Sequence, residues 1–320
     1  MSDKSPKLIK LAADLFSDSA EQEAFADSVL KTHPYRPALV WTQPRPDESP
    51  FRSEEPEDWQ PDFVDRLHRD QRPGQHDWHN EGRYYCLTFS SVMEARVLVN
   101  VPANPAVVID LCASPGGKSV LAWRMLNPGL LISNEVIGKR TAQLISNLRR
   151  CAVHPACATS LDSVILAERC PATADLVIVD APCSGQSLIA KGKHVNACFH
   201  SHVINHNRNR QRRILLNATK LVKPGGHLAY MTCTYAEKEN ESNLRWLIKH
   251  QPQLVPEEVP ALSPFQSHLA DFPCYRMWPQ NDLGAGGFTS IFQNQSPGTA
   301  EPLELERLDP VWRSSGLKTD

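Results

Sequence analysis

The chain has 320 residues, of which 41% are hydrophobic and 22% charged, with a formal net charge of −2. That length allows one large domain with an appendage, and near-neutral charge excludes a protein that coats nucleic acid nonspecifically while leaving room for a local basic groove. No apolar run reaches transmembrane length and no charged-then-apolar leader follows Met1, so a cytoplasmic protein is expected.

Five apolar residues, Leu8, Leu11, Phe16, Phe25 and Leu30, recur at roughly helical spacing and predict one amphipathic helix over about residues 1–30. Pro34 to Gly82 is rich in Pro, Asp and Glu and reads as a long connection or a loosely built appendage. Residues 1–82 are thus expected to form an N-terminal extension, 83–295 the main domain and 296–320 a tail. Within the main domain, Ala106–Leu111, Leu130–Glu135, Asp175–Asp180 and His227–Cys233 read as strands. Helices are expected over Lys118–Met125, up to Arg150, and over Asn205–Val222, the last stopped by Lys223-Pro-Gly-Gly226. Thr234-x-x-Glu237 reads as a capping box opening a helix to about His250. Strands alternating with helices predict an α/β fold, a mostly parallel sheet covered on both faces, with ligands at the carboxyl ends of the strands.

The strand–loop–helix Asp110-Leu-Cys-Ala-Ser-Pro-Gly-Gly-Lys118 brings glycines and a helix N-terminus together, which suits a carboxylate or phosphate. A phosphate loop would need Gly at position 112, where Cys112 stands. Glu135 closes the next strand, where an acid accepts hydrogen bonds from ribose hydroxyls, and Asp162 follows a third strand and could hold an adenine amino group. Ribose, adenine and a carboxylate without phosphate describe S-adenosyl-L-methionine better than a dinucleotide. A glycine turn with no ligand is the bland alternative.

Two cysteines close two different strands, Asp180-Ala-Pro-Cys183-Ser-Gly and Thr232-Cys233-Thr. Nine cysteines occur, with no Cys-x-x-Cys pair, so free thiols in a reducing compartment are expected, and buried packing is the ordinary fate of each. A pair converging beside Asp180 suits methylation at carbon 5 of cytosine. That carbon becomes nucleophilic only after a thiolate adds to carbon 6, a carboxyl must serve ring nitrogen 3, and a base must remove the carbon 5 proton.

These motifs, with Lys223-Pro-Gly-Gly-x-Leu-x-Tyr-x-Thr-Cys-Thr234, Glu239-Asn-Glu241, Arg276-Met-Trp-Pro279 and Gly287-Phe288, resemble in order the RsmB/Sun-type RNA cytosine-5 methyltransferases, over about Gly82 to Gln293. The resemblance implies a class I S-adenosylmethionine-dependent methyltransferase fold. It places Cys112, Ala113, Ser114, Pro115, Gly116, Gly117, Lys118, Glu135, Asp162 and Asp180 around S-adenosyl-L-methionine, with Cys233 as nucleophile and Cys183 as the thiol that assists release. It implies an RNA partner, ribosomal or transfer RNA, with no membrane and no obligate protein partner. The chain departs from the family pattern at Gln186 to Lys193 and at Gln280.

Two further segments carry weaker signals. Cys198, His200, His202 and His206 are too cramped for a tetrahedral zinc signature and read as a polar, RNA-facing stretch, so no metal is expected. Arg208, Arg210, Arg212 and Arg213 form a basic stripe, either a solvated face or phosphate contacts. A DNA cytosine-5 methyltransferase would instead use Cys183 as nucleophile, and a non-catalytic RNA-binding assembly factor would keep the fold without turnover.

Overall fold

A computed structural model of the chain describes residues 4–31 and 35–317. The N-terminal stretch forms two helices rather than one, α1 (Pro6–Leu15) and α2 (Ser19–Leu30). The break falls where Asp18 turns out of helical conformation and accepts from the N–H groups of Ala20 and Glu21, an N-cap that starts a new helix. Phe25 of α2 packs edge-on against Tyr235 at 5.0 Å and Phe16 lies 4.8 Å from Trp278, so the pair is docked on the main domain.

The Pro- and acid-rich stretch that reads as loose is in fact built. Strands β1 (Pro37–Trp41), β2 (Val64–Arg66) and β3 (Tyr84–Thr88) form an antiparallel sheet in the order β2-β1-β3, with a single-turn helix α3 (Asp77–Asn80) before β3. Leu39, Trp41, Leu67 and Tyr84 bury one another on it, and the Trp41 indole N–H donates to Asp65 at 2.6 Å. Helix α4 (Phe89–Ala95) then carries the chain into the main sheet.

Among the described residues the main sheet has nine strands. They include β4 (Val107–Asp110), β5 (Leu130–Asn134), β6 (Ala156–Thr159), β7 (Ala174–Asp180) and β8 (Val222–Thr232). These five run parallel in the order β8-β7-β4-β5-β6. Their residues are buried almost throughout, as strands covered on both faces must be. The covering helices are α5 (Gly117–Leu126), α6 (Gly138–Arg150), α7 (Ser163–Arg169), the short α8 (Ser187–Ala190), α9 (Ser201–Leu221) and α10 (Glu241–His250). Antiparallel strands β9 (Leu254–Pro256), β10 (Tyr275–Met277) and β11 (Gly287–Asn294) extend the β8 edge. Strand β12 (Trp312–Arg313) pairs with β6 at the other edge, so the C-terminal stretch is also docked.

Two local expectations fail. Lys223-Pro-Gly-Gly226 does not merely stop α9 but lies within β8, because Gly226 approaches β7 so closely that a Cβ would come 2.8 Å from the Ala174 carbonyl oxygen. The Thr234–Glu237 capping box does not form. Thr234 instead shares a hydrogen bond with Ser184, Glu237 pairs with Arg245, and the helix starts later, at Glu241. Among the described residues no helix is long and apolar enough to cross a membrane.

Candidate active site

The parallel strands deliver their chemistry to one edge. After β4, the loop ends on Gly116, whose φ of +111° is left-handed, and α5 opens with no side chain capping its first turn. A Cβ at Gly117 would lie 2.5 Å from the tip of the Leu87 side chain, which would have to move aside. Ala113 donates to the Asn134 carbonyl at 2.9 Å, Ser114 exchanges hydrogen bonds with Arg140, and the Pro115 carbonyl accepts from Asn147 at 2.8 Å. Cys112 is half-buried there, its thiol pushed up by burial.

Glu135 stands at the tip of β5 with only 3% exposure. One of its carboxylate oxygens accepts from the Ile137 N–H at 3.0 Å and the other meets Arg140 at 3.2 Å. Asp162 follows β6 on the same edge and caps α7 through the Val164 N–H. Asp110 is fully buried; one oxygen accepts from Ser119 at 2.7 Å, and the other has no partner. Burial pushes its carboxyl up to about 7. An uncapped, glycine-led helix N-terminus, an acid at the second strand and an unanswered carboxylate oxygen fit a zwitterionic nucleoside such as S-adenosyl-L-methionine.

The two thiols sit at the ends of adjacent parallel strands. Cys183 follows β7, Cys233 follows β8, and their sulfurs are 3.3 Å apart. The loops carrying them are tied together. Ser184 N–H donates to Glu239 at 2.9 Å, Gln211 donates to both Pro182 and Glu239, the Tyr235 N–H donates to Gln186, and the Ser187 N–H donates to the Cys233 carbonyl. The Cys183 thiol aimed at Cys233 holds the Cys233 sulfur below the usual thiol range, with the half-buried Lys191 acting in the same sense. Cys183 is correspondingly pushed well up. Of the two thiols, Cys233 is therefore the one that ionises more readily.

Asp180 closes β7 beside this pair, and Lys118 of α5 meets it at 3.3 Å. Burial alone would lower the Lys118 ammonium, but Asp180 and Glu94 hold it above its ordinary range. The sequence reading missed Glu94 and Lys191. Glu94 carries a weak signal, one acid in the otherwise uncharged Phe89-Ser-Ser-Val-Met-Glu-Ala95; Lys191 lies in a segment read only as a departure from the family pattern.

Behind Cys233, Arg276 and Glu241 form a buried two-pronged ion pair, and Arg276 lies over the Trp278 and Phe288 rings. Of the basic stripe, Arg212 is occupied by Asn243 and by the Trp246 ring, so it belongs to packing rather than to a free cationic face. His200 is paired with Lys7 and Cys198 is buried, so these two side chains of the expected polar, RNA-facing stretch are engaged within the fold.

Fold and strand-end geometry together define a class I S-adenosylmethionine-dependent methyltransferase architecture. The profile of the family described as "16S rRNA methyltransferase RsmB/F" matches residues 97–293, and the chain belongs to that family. It is 31% identical over 204 residues to ribosomal RNA small subunit methyltransferase F of Cronobacter sakazakii, covering 62% of this chain and 42% of that one. It is 32% identical over 234 residues to the protein of the same name from Psychromonas ingrahamii, covering 70% of this chain and 48% of that one. The chain therefore spans less than half the length of these curated relatives. Among solved structures, PH0851 superposes with a TM-score of 0.74 at 25% identity, over 89% of this chain and 65% of that one. NSun6 from Pyrococcus horikoshii with SFG superposes at 0.72 and 17% identity, over 92% and 99%, a likeness of fold.

Proposed function

We propose that this chain methylates carbon 5 of cytosine in RNA, ribosomal RNA being the substrate its relatives' names favour, with S-adenosyl-L-methionine as methyl donor and the cytoplasm as its compartment. The observation that carries the reading is the 3.3 Å pair of thiols at the ends of two adjacent parallel strands, beside Asp180. Bound S-adenosylmethionine supplies an electrophilic methyl group; Cys112 to Lys118, Glu135, Asp162 and Asp180 are the residues we assign to hold it. The Cys233 sulfur forms a bond to cytosine carbon 6 and the carbon 5–carbon 6 π pair shifts toward nitrogen 3, which takes up a proton from water while the Asp180 carboxylate accepts a hydrogen bond from that N–H. Carbon 5, now nucleophilic, would take the methyl group as the methyl–sulfonium bond breaks and S-adenosyl-L-homocysteine is left, giving an adduct protonated on nitrogen 3. Removal of the carbon 5 proton then re-forms the double bond and expels the Cys233 thiolate, and the nitrogen 3 proton returns to water.

Cys183 is the thiol best placed to take that proton. What most raises it is its hydrogen bond to Cys233, followed by burial. Once Cys233 is bonded to carbon 6 the larger of these causes is weakened, which eases ionisation of Cys183 when a base is needed. The DNA-type alternative, with Cys183 attacking, runs against the opposite shifts of the two thiols, Cys183 up and Cys233 down. Methylation of ribosomal RNA by the purified chain, mapped by bisulfite sequencing, tests the proposal. A site methylated by the native chain and unmethylated by Cys233→Ala supports it. No cytosine protected by the native chain on free RNA or on ribosomal subunits contradicts it.

A further inference from the structure

We propose that Glu94 is a positioning residue of this site, the inner carboxylate that fixes the Lys118 ammonium against Asp180 and sets the charge felt by the Cys233 sulfur. The inference deepens the methyltransferase reading and rests on it for the role of Cys233. Glu94 lies on α4, outside the residues matched by the family profile, and is 2% exposed. Its carboxylate pairs with Lys118, whose ammonium also meets Asp180 at 3.3 Å. Lys118 is 5% exposed and forms ion pairs with these two carboxylates, so Glu94 is one of the two anchors that hold its Nζ at the strand edge.

The fold keeps room for this carboxylate. Gly287, at the start of β11, faces Glu94 so closely that a Cβ there would come 1.9 Å from a carboxylate oxygen. Any side chain at 287 would displace Glu94 or be displaced by it. A buried ionised group is kept only where it is paired, and a charge pair this deep is an expensive way to fill a core. Its placement beside two thiols and Asp180 gives it a use.

The groups that face Glu94 are Lys118 from α5, Asp180 from the end of β7, Lys191 beyond α8 and Cys233 from the end of β8. With all three members ionised, Glu94, Lys118 and Asp180 carry net negative charge, which opposes a thiolate at Cys233. With Glu94 protonated they carry none. Burial pushes the Glu94 carboxyl up to about 7 against the pull of Lys118, so this change falls near neutral pH. Glu94 therefore tunes the nucleophile's charge while anchoring Lys118.

The test is Glu94→Gln, which keeps the shape and removes the charge. The rate of Cys233 alkylation by iodoacetamide, read by peptide mass spectrometry against pH, needs no RNA. Its midpoint should move to lower pH in Glu94→Gln, because a like charge is gone. On RNA, kcat should fall by about 10–100-fold, a part of the ~10²–10⁴-fold that positioned proton-handling groups contribute. KM for RNA should stay within about twofold, since Glu94 is buried beneath the site. Glu94→Asp keeps the charge and withdraws it, so its midpoint should match the native one while kcat falls. If Glu94→Gln does not fold, the Asp variant carries the test, and full kcat there overturns the proposal. An unmoved alkylation midpoint or a native kcat in Glu94→Gln also overturns it. Native protein that methylates no RNA would sink the functional reading instead, while the alkylation midpoints still decide the coupling of Glu94 to Cys233.

Discussion

Replacing Glu135 with Ala should weaken S-adenosyl-L-methionine binding by about 1.5–3 kcal/mol, the range for hydrogen bonds to a charged group. At ~1.4 kcal/mol per tenfold this is about a 10–150-fold higher Kd. The carboxylate is 3% exposed, and its two oxygens have one protein partner each, Ile137 N–H and Arg140. A carboxylate accepts about four hydrogen bonds, so two positions remain for the ribose hydroxyls. The pair with Arg140 has little weight in the comparison, because the arginine side chain is 46% exposed and such pairs contribute about 0–1 kcal/mol. Titration calorimetry of the native protein, Glu135→Ala and Glu135→Gln measures the effect, with Gln expected between the other two. An unchanged Kd in a folded Glu135→Ala would remove Glu135 from the site and refute the reasoning.

Asp110 gives a stability slope with pH. Its carboxyl is raised from 3.8 to about 7, so the folded chain keeps a proton that the unfolded chain has released, and stability should fall as pH rises from about 3.8 to about 7. Asp110→Asn should flatten that part of the urea-unfolding profile, and an identical slope would contradict it. Arg276→Met strands the buried Glu241 and should cost about 3–5 kcal/mol in urea unfolding, whereas Arg276→Met with Glu241→Leu should recover most of it. A double variant as unstable as the single one would show that the pair is not the cause. Replacing Arg208, Arg210 and Arg213 with Ala should weaken RNA binding with a shallower salt dependence, while Arg212→Ala lowers stability and leaves the salt slope alone. Equal slopes for all variants would make the stripe a solvated face.

Much of the catalytic half was legible because burial on both faces leaves a strong pattern. Val107–Ile109 and Leu176–Val179 are continuous apolar runs, each followed by an acid, and each lies in a central parallel strand. That Cys183 and Cys233 close two different parallel strands was legible from the strand pattern; that the two strands are neighbours came only with the sheet order. The pairing of β1 with β2 and β3 was not legible, because Pro37 to Thr88 meet across a long proline-rich span. Its order comes from Trp41, Leu67 and Tyr84 finding one another, and no local period records that. Likewise Thr234 has the form of a cap, but Ser184 is a nearby competing partner and takes its hydroxyl. Glu94 had only the weak signal of a lone acid in an uncharged helix. Its significance arises only when α4, α5 and β7 bring Glu94, Lys118 and Asp180 to one point.

The division of labour between the two thiols is tested most directly by trapping the covalent intermediate. Labelled RNA is incubated with S-adenosyl-L-methionine and each variant, then run on a denaturing gel. Cys183→Ala should show a shifted, covalently linked band, because a thioether that cannot shed its carbon 5 proton is stranded. Cys233→Ala should show none, since no other group starts the addition. An adduct in Cys233→Ala and none in Cys183→Ala would contradict the account and make Cys183 the nucleophile.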